Sequence, residues 1–301
     1  MRTFNNDQVQ YKVLRAFYKK APFNIKGDLQ QSINPIQSEL LSCLIISNRP
    51  SLLKNILEDL SFQTLPKANF EVVIVFDGQG EGISQLIEGY KEYLNIHLHK
   101  TDQPLRTLSD LRNISVALSQ GPLILFLDDD TRIFQKDFLE SALVPFNENL
   151  CDVLIPQAHC LYGVVGAHYD FLDKFSFTNR CSFYRRKTIE GIGGFLKGLQ
   201  TYEDTELSIR LMIKIPKVIH MEELNYYHPP LYFDSMRKPL AIGQTIFQIR
   251  RQYSLLVWLL VYLNALRFLP LVLLPGQRYR HWAKISWGVL LYPFTGKSYY
   301  Y

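Results

Sequence analysis

Acidic residues stop at Asp234. From Ser235 to Tyr301 the chain has no Asp or Glu, yet it keeps Arg237, Lys238, Arg250, Arg251, Arg267, Arg278, Arg280, Lys284 and Lys297 there. The overall net charge of +5 is therefore the balance of a basic tail and an acidic body. Cysteine is also scarce. The four present, Cys43, Cys151, Cys160 and Cys181, form no CxxC pair and no zinc-ligand spacing. That excludes a zinc ribbon or a dithiol redox centre and reads as reduced packing residues in a cytosolic protein. The opening residues MRTFNNDQVQ lack an apolar core, so no secretory signal is expected. No phosphate-cradling P-loop is present either. Gly191, Gly193 and Gly194 mark a tight loop, but no strand is expected to feed it and no Lys-Ser/Thr pair ends it. With 47% hydrophobic and 20% charged residues, the chain is ordered and globular. Its 301 residues suffice for one large domain or a domain with an appendage.

The most informative stretch is LILFLDDDTR, residues 123–132. Five apolar residues run straight into Asp128, Asp129 and Asp130. Such a run predicts a strand buried on both faces, as in a parallel sheet. Charged carboxylates are not tolerated in such a core without partners, so they must emerge where the strand ends. In open α/β sheets that carboxyl end is where ligands bind. Side chains at i and i+2 of extended backbone point the same way, so Asp128 and Asp130 can converge on one hard cation, Mg²⁺ or Mn²⁺. The plain alternative is a solvated acidic turn.

Alternation of strand and helix patterns surrounds this stretch. LSCLIIS (41–47) and FEVVIVFDG (70–78) read as buried strands, and the second also ends in an acid, Asp77. Between them, Pro50 suits a first helical turn, with Leu52, Leu53, Ile56, Leu57 and Leu60 on one face. A helix is expected over 82–93, a short strand over 95–100, and a helix from Thr107 with Gly121 as its C-cap. A helix at 135–146 and a fourth long strand at 151–157 follow, and the aromatic-rich run 157–190 carries no clear pattern. TYEDTELSIRLM reads as a helix with Glu203, Asp204 and Glu206 in its first turn, where acids suit the helix dipole. A short strand then leads to His228. The pattern predicts a mostly parallel α/β sheet flanked by helices, with Asp77 and Asp128–Asp130 on one rim.

The tail is apolar as well as basic. Residues 255–274 are long enough to cross a bilayer, but Asn264, Arg267 and Pro270 interrupt them. Three placements stay open at this point: a helix lying at the membrane interface, a buried helix, or a span. Trp258, Trp282 and Trp287 among Arg and Lys suit an interface facing anionic lipid.

Four motifs, taken in order, resemble the family 2 glycosyltransferases of GT-A fold over roughly residues 41–230. CLIISNR stands at that family's opening strand and turn, and VIVFDG at its base-contacting strand. DLRNISVALSQGPLILFLDDD resembles the Arg-Asn helix leading into the DxD strand. GIGGF followed by YEDTELSIRL resembles the Gly-Gly-Phe loop and Glu-Asp helix. The resemblance implies three segments: an N-terminal extension (1–40), a GT-A domain (41–234) and a helical, membrane-associating tail (235–301). It splits the GT-A domain into a nucleotide-sugar half (41–134) and an acceptor half (135–234). It also implies site roles. Ser47, Arg49, Asp77, Arg112, Asp128 and Asp129 would hold the nucleotide sugar. Asp128, Asp130 and His228 would hold Mn²⁺ or Mg²⁺. Asp204 would be the general base, its pKa raised by burial beside Glu203.

The implied reaction is metal-dependent, inverting transfer of one sugar from a nucleotide diphosphate sugar, a UDP-sugar first, to a hydroxyl acceptor. That acceptor would be a glycan or a lipid-linked precursor, met at the inner face of the plasma membrane. Gln248 and Arg251 fit part of the processive Gln-x-x-Arg-Trp motif, but Gln252 stands in place of Trp, so single-sugar transfer is implied. Two other classes compete. One is an Asp-nucleophile phosphohydrolase, for which Arg132 stands where Thr is required. The other is an inactive GT-A binding module. Nucleic-acid binding fits the tail's charge but not its Leu and Val density.

Overall fold

The computed structural model describes residues 2–3, 9–78, 82–101, 107–160, 180–229 and 235–299. Along the chain come β1 (Arg2–Thr3), α1 (Val9–Lys20), β2 (Leu41–Ser47), α2 (Pro50–Ser61), β3 (Phe70–Phe76), α3 (Ile83–Glu88), β4 (Ile96–Lys100), α4 (Leu108–Leu118) and β5 (Leu123–Asp128). Then follow α5 (Phe138–Asn147), β6 (Val153–Cys160), β7 (Cys181–Arg185), α6 (Arg186–Glu190), α7 (Glu203–Ile213) and β8 (Val218–His228). The chain ends in α8 (Arg237–Ile249), α9 (Leu255–Ala265) and α10 (Gln277–Leu291).

The strands form one sheet in the order β1-β8-β6-β7-β5-β2-β3-β4. β2 pairs in parallel with β3 and with β5, β3 with β4, and β6 with β8. β7 lies antiparallel between β5 and β6. From β2 the chain builds outward through β3 and β4, then returns to place β5 on the other side of β2. That reversal is a topological switch point, where a crevice opens at the carboxyl ends of the strands. Ser47, Asp77, Asp128 and His228 all end or follow strands that point to this rim.

Alternate residues of each central strand feed two cores. On one face Cys43, Ile45, Val72, Ile74 and Leu125 pack with α2 and α5. On the other, Leu44, Val73, Ile124 and Phe126 pack with residues of α1, α7 and α9. The first helix and the tail therefore share one hydrophobic layer: Tyr11 and Leu14 belong to the same cluster as Val257, Trp258 and Val261.

Several local expectations need revision. α4 ends at Leu118 with Ser119 as an extended C-cap, so Gly121 is not the cap. A Cβ on Gly121 would lie 2.4 Å from the Leu40 carbonyl oxygen, and close approach to β2 explains that glycine better. α3 covers only Ile83–Glu88, and β8 is eleven residues long rather than short. β7 was not anticipated: CSFYR is only five residues, inside an aromatic run that shows no period. The glycine loop follows β7 through α6, so a helix rather than a strand enters it. Much of the unassigned aromatic run, 161–179, lies outside the described residues.

Gly288 shows how tightly the tail is packed. A Cβ there would lie 2.2 Å from the Pro239 carbonyl carbon in the first turn of α8. On an exposed helix, Gly→Ala stabilises by ~1 kcal/mol. Here Gly288→Ala is expected to destabilise by ~1–3 kcal/mol, because the helices must move apart. Denaturant unfolding of the two proteins checks the sign.

Candidate active site

The Asp triplet leaves β5 in two directions. The Asp128 N–H donates to the Arg180 carbonyl (3.0 Å), and the Thr131 N–H donates back to the Asp128 carbonyl (3.1 Å), closing a turn. Asp128 and Asp130 both face His228, whose Nε2 lies 3.8 Å from Asp128 Oδ2 and 2.9 Å from Asp130 Oδ1. Asp129 points the other way. It accepts from Ser47 Oγ (2.6 Å) and from Arg49 Nε (3.2 Å) and Nη2. Arg49 Nη2 also reaches Asp130 Oδ2 at 3.3 Å. The i, i+2 expectation thus holds for the geometry.

Charges on this rim are compensated through Arg112. This buried guanidinium donates from Nε to Glu203 Oε1 (3.0 Å) and from Nη2 to Asp128 Oδ1 (3.2 Å). It lies 5.5 Å from the Phe126 ring centroid and 6.0 Å from that of Phe195. Burial alone would raise the Asp128 carboxyl, but His228 and Arg112 hold it well below the usual range. Burial lowers the His228 imidazole, and Asp128 and Asp130 more than reverse this, so its pKa is raised. Burial pushes Glu203 up to about 7 against the pull of Arg112, with Asp204 adding to the rise.

Glu203 and Asp204 begin α7, but they differ in surroundings. Glu203 is buried against Arg112. The Asp204 carboxylate is half-buried and accepts from the Thr205 N–H at 2.7 Å. Tyr202, just before them, adopts a left-handed conformation (φ 66°), a strained setting for a non-glycine residue. Glu206 is not a dipole-matching surface acid: it is buried and takes both Arg210 Nε (2.6 Å) and the Tyr253 hydroxyl (2.9 Å).

The Arg-Asn and Gly-Gly-Phe motifs prove to be mates. Asn113 Nδ2 donates to the Phe195 carbonyl (2.9 Å), and the Phe195 N–H donates to Asn113 Oδ1 (2.8 Å). Gly193 and Gly194 both have φ near +70°, and a Cβ on Gly194 would lie 2.6 Å from Asn113 Oδ1. Glycine is required there for conformation and space.

Asp77 lies on the same rim, its N–H bonded to the Ser47 carbonyl (2.9 Å) and its carboxylate accepting from Thr101 Oγ1 (2.6 Å). The structure so brings Ser47, Arg49, Arg112, Asp128–Asp130, Glu203 and His228 into one contiguous network, with Asp204 beside Glu203 and Asp77 beside Ser47. Two cations were missed. Burial, then Arg180, lowers the Lys238 ammonium, while Asp128, Glu203 and Asp204 raise it. Lys238 is in the tail, 34 residues beyond Asp204, and carries no motif to signal its approach.

Two carboxylates and an imidazole, with ligand atoms all within 4.8 Å of one another, fit a divalent cation. The His228 tautomer fits as well: Nδ1 lies 2.7 Å from the Pro229 carbonyl, and an Nδ1–H donated there turns the Nε2 lone pair toward the acids.

The fold is a GT-A-like mixed α/β sheet with flanking helices. Residues 43–166 match the family described as glycosyl transferase family 2. A poly(ribitol-phosphate) beta-N-acetylglucosaminyltransferase, TarS of Staphylococcus aureus, is 30% identical over 108 residues, which are 36% of this chain and 19% of TarS. The chain therefore matches about a fifth of that relative's length. Glycosyltransferase AglE of Haloferax volcanii is 21% identical over 72% of this chain and 78% of its own. The TarS 1–349 structure with UDP-GlcNAc superposes with a TM-score of 0.59 at 17% identity, covering 80% of this chain and 78% of that one. The Pyrobaculum calidifontis mannosyltransferase PcManGT, in complex with GDP-Man and Mn²⁺, gives 0.62 at 13% identity, covering 98% and 96%. The match to glycosyl transferase family 2 thus covers residues 43–166, and the solved structures show likeness of fold over most of the chain.

Glu203 makes stability pH-dependent. Its folded pKa of about 7 exceeds the 4.5 of an unperturbed glutamate, so between these values the native state binds more protons than the unfolded one. Stability from this group is full below pH 4.5 and falls as pH rises toward 7. Relative to wild type, Glu203→Gln should gain ~1–3 kcal/mol between pH 5 and 8. Urea unfolding at both pH values reads it, and a constant difference would refute the raised pKa.

Proposed function

We propose that this chain is an inverting, metal-dependent glycosyltransferase that moves a single sugar from a nucleotide diphosphate sugar to an acceptor hydroxyl. The observation that carries this reading is the convergence of Asp128, Asp130 and His228 beside the Glu203–Asp204 turn of α7. A divalent cation, Mn²⁺ or Mg²⁺, held by Asp128, Asp130 and His228 supplies positive charge for the leaving diphosphate.

The chain's own groups do the rest. Asp77, Ser47 and Arg49 line the nucleotide side of the rim, and Asp129 holds Arg49 in place. Arg112 positions Asp128 against Glu203. Asp204 takes the proton of the acceptor hydroxyl as it attacks the anomeric carbon. Glu203, buried and bonded to Arg112, acts through that arginine and is unsuited to be a nucleophile. A single available carboxylate base supports direct displacement with inversion and no covalent sugar intermediate. UDP-sugar is our first choice of donor, supported by the 30% identity to TarS. We infer an acceptor that is a glycan or a lipid-linked precursor, reached at the cytoplasmic face of the plasma membrane.

Purified protein incubated with UDP-, GDP- and TDP-sugars should release nucleotide diphosphate from one of them with Mn²⁺ and none with chelator. Asp130→Ala should abolish this release. With an acceptor in hand, Asp204→Asn should lower kcat by ~10²–10⁴-fold with little effect on donor KM. Release that persists in chelator, or an Asp204→Asn enzyme of wild-type kcat, would refute the metal or the base assignment respectively.

A further inference from the structure

We propose that α9 and the turn after it form a docking surface for an anionic lipid bilayer and lie along the interface without crossing it. The surface extends the proposed place of work. Vesicle binding and donor turnover are separate readouts, so either reading can fail alone.

α9 has two faces. Val257, Trp258, Val261 and Ala265 are buried within the protein. Leu255 (60% exposed), Leu259 (39%) and Leu263 (62%) are four residues apart and form one outward stripe. The chain then turns through a 3-10 segment, Leu269–Leu273, whose Leu273 is 84% exposed. Val272 and Leu274 are exposed beside it. Over Leu255–Leu273 the mean hydropathy is 2.0, yet only 22% of the stretch is buried. Scattered single leucines on a surface need no explanation, but a continuous apolar stripe does.

Charge identifies the occupant. Exposed Arg250 and Arg251 stand just before α9, and Arg267 just after it. Arg250 stacks over Trp258 at 5.3 Å and Arg267 over Phe268 at 4.2 Å. Guanidinium groups at both ends of an apolar stripe match a headgroup layer, where they reach lipid phosphate; Trp258, expected to face lipid, is instead buried in the core and anchors Arg250 from beneath. No acid anywhere in 235–301 opposes that attraction.

Geometry rules against a span. The eleven residues of α9 rise ~16 Å, about half of a ~30 Å hydrocarbon core. Its inner face is also taken by the protein core, and lipid cannot surround it. The surface connects to chemistry through α8, where the Thr245 hydroxyl donates to the Thr201 carbonyl (2.8 Å) just ahead of α7.

The test uses the full-length protein and sedimented vesicles, of phosphatidylcholine alone or with one part in four phosphatidylglycerol. Wild type should bind the anionic vesicles at least ~10-fold better than neutral ones and be released by alkaline carbonate. The triple variant Leu255→Glu, Leu263→Glu, Leu273→Glu should lose binding while its unfolding midpoint and donor hydrolysis stay at wild-type values. Arg250→Gln with Arg251→Gln should weaken anionic binding alone. The proposal fails if wild type stays in the supernatant, or if the folded triple variant binds equally. Resistance to carbonate would show a span. A wild-type dimer in sedimentation velocity that the triple variant dissociates would show that a second copy covers the face.

Discussion

A buried guanidinium is the constraint on which the rim depends. Arg112 is inserted between Asp128 of β5 and Glu203 of α7, with Phe126 and Phe195 on its faces. Burial disfavours its charge, and Glu203 followed by Asp128 more than restores it. Removing one member of such a group leaves an uncompensated buried charge, at ~3–5 kcal/mol. The consequence reaches beyond stability. One cation sets where the strand-end acid and the helix-start acids stand relative to each other.

Around that cation, the glycine loop before α7 is held by hydrogen bonds that leave little freedom. Asn113, next to Arg112 on α4, clamps the Gly-Gly-Phe loop by two bonds to Phe195. Arg210 donates to the Ile192 and Gly194 carbonyls from the far side, and Glu206 holds Arg210. Tyr253, from the chain between α8 and α9, closes the set on Glu206. The tail is therefore wired, through Tyr253 and Glu206, to the Arg210 that holds the glycine loop. Lys238 approaches the same acids from α8, so the basic tail and the acidic rim meet at the site.

Legibility followed locality. LILFLDDDTR disclosed a buried strand and two converging acids, because period-two geometry and the burial of charge are settled within ten residues. Asp77 was placed on the same rim as the triplet because parallel strands share a carboxyl end, whereas His228 was named only through the family resemblance. β7 escaped because five residues in an aromatic run carry no readable period, and its antiparallel pairing with β5 and β6 joins strands distant in sequence. Glu206 read as a helix-dipole acid because its partners Arg210 and Tyr253 lie on different sides of it. The three placements of 255–274 could not be separated in sequence, since hydropathy counts residues and not the faces they present.

By itself, then, the sequence determined an α/β sheet, its acid-bearing rim and the likeness to family 2 glycosyltransferases. Each of these is written in contiguous motifs whose physics is local. Only the tertiary structure decided that Arg112 bridges Asp128 to Glu203, that Glu203 rather than Asp204 sits in its grasp, and that His228 faces both metal-side acids. It also decided that half of α9 is core and half is surface. Those outcomes depend on which side chain fills which space once distant segments are brought together, and no window of sequence contains both partners.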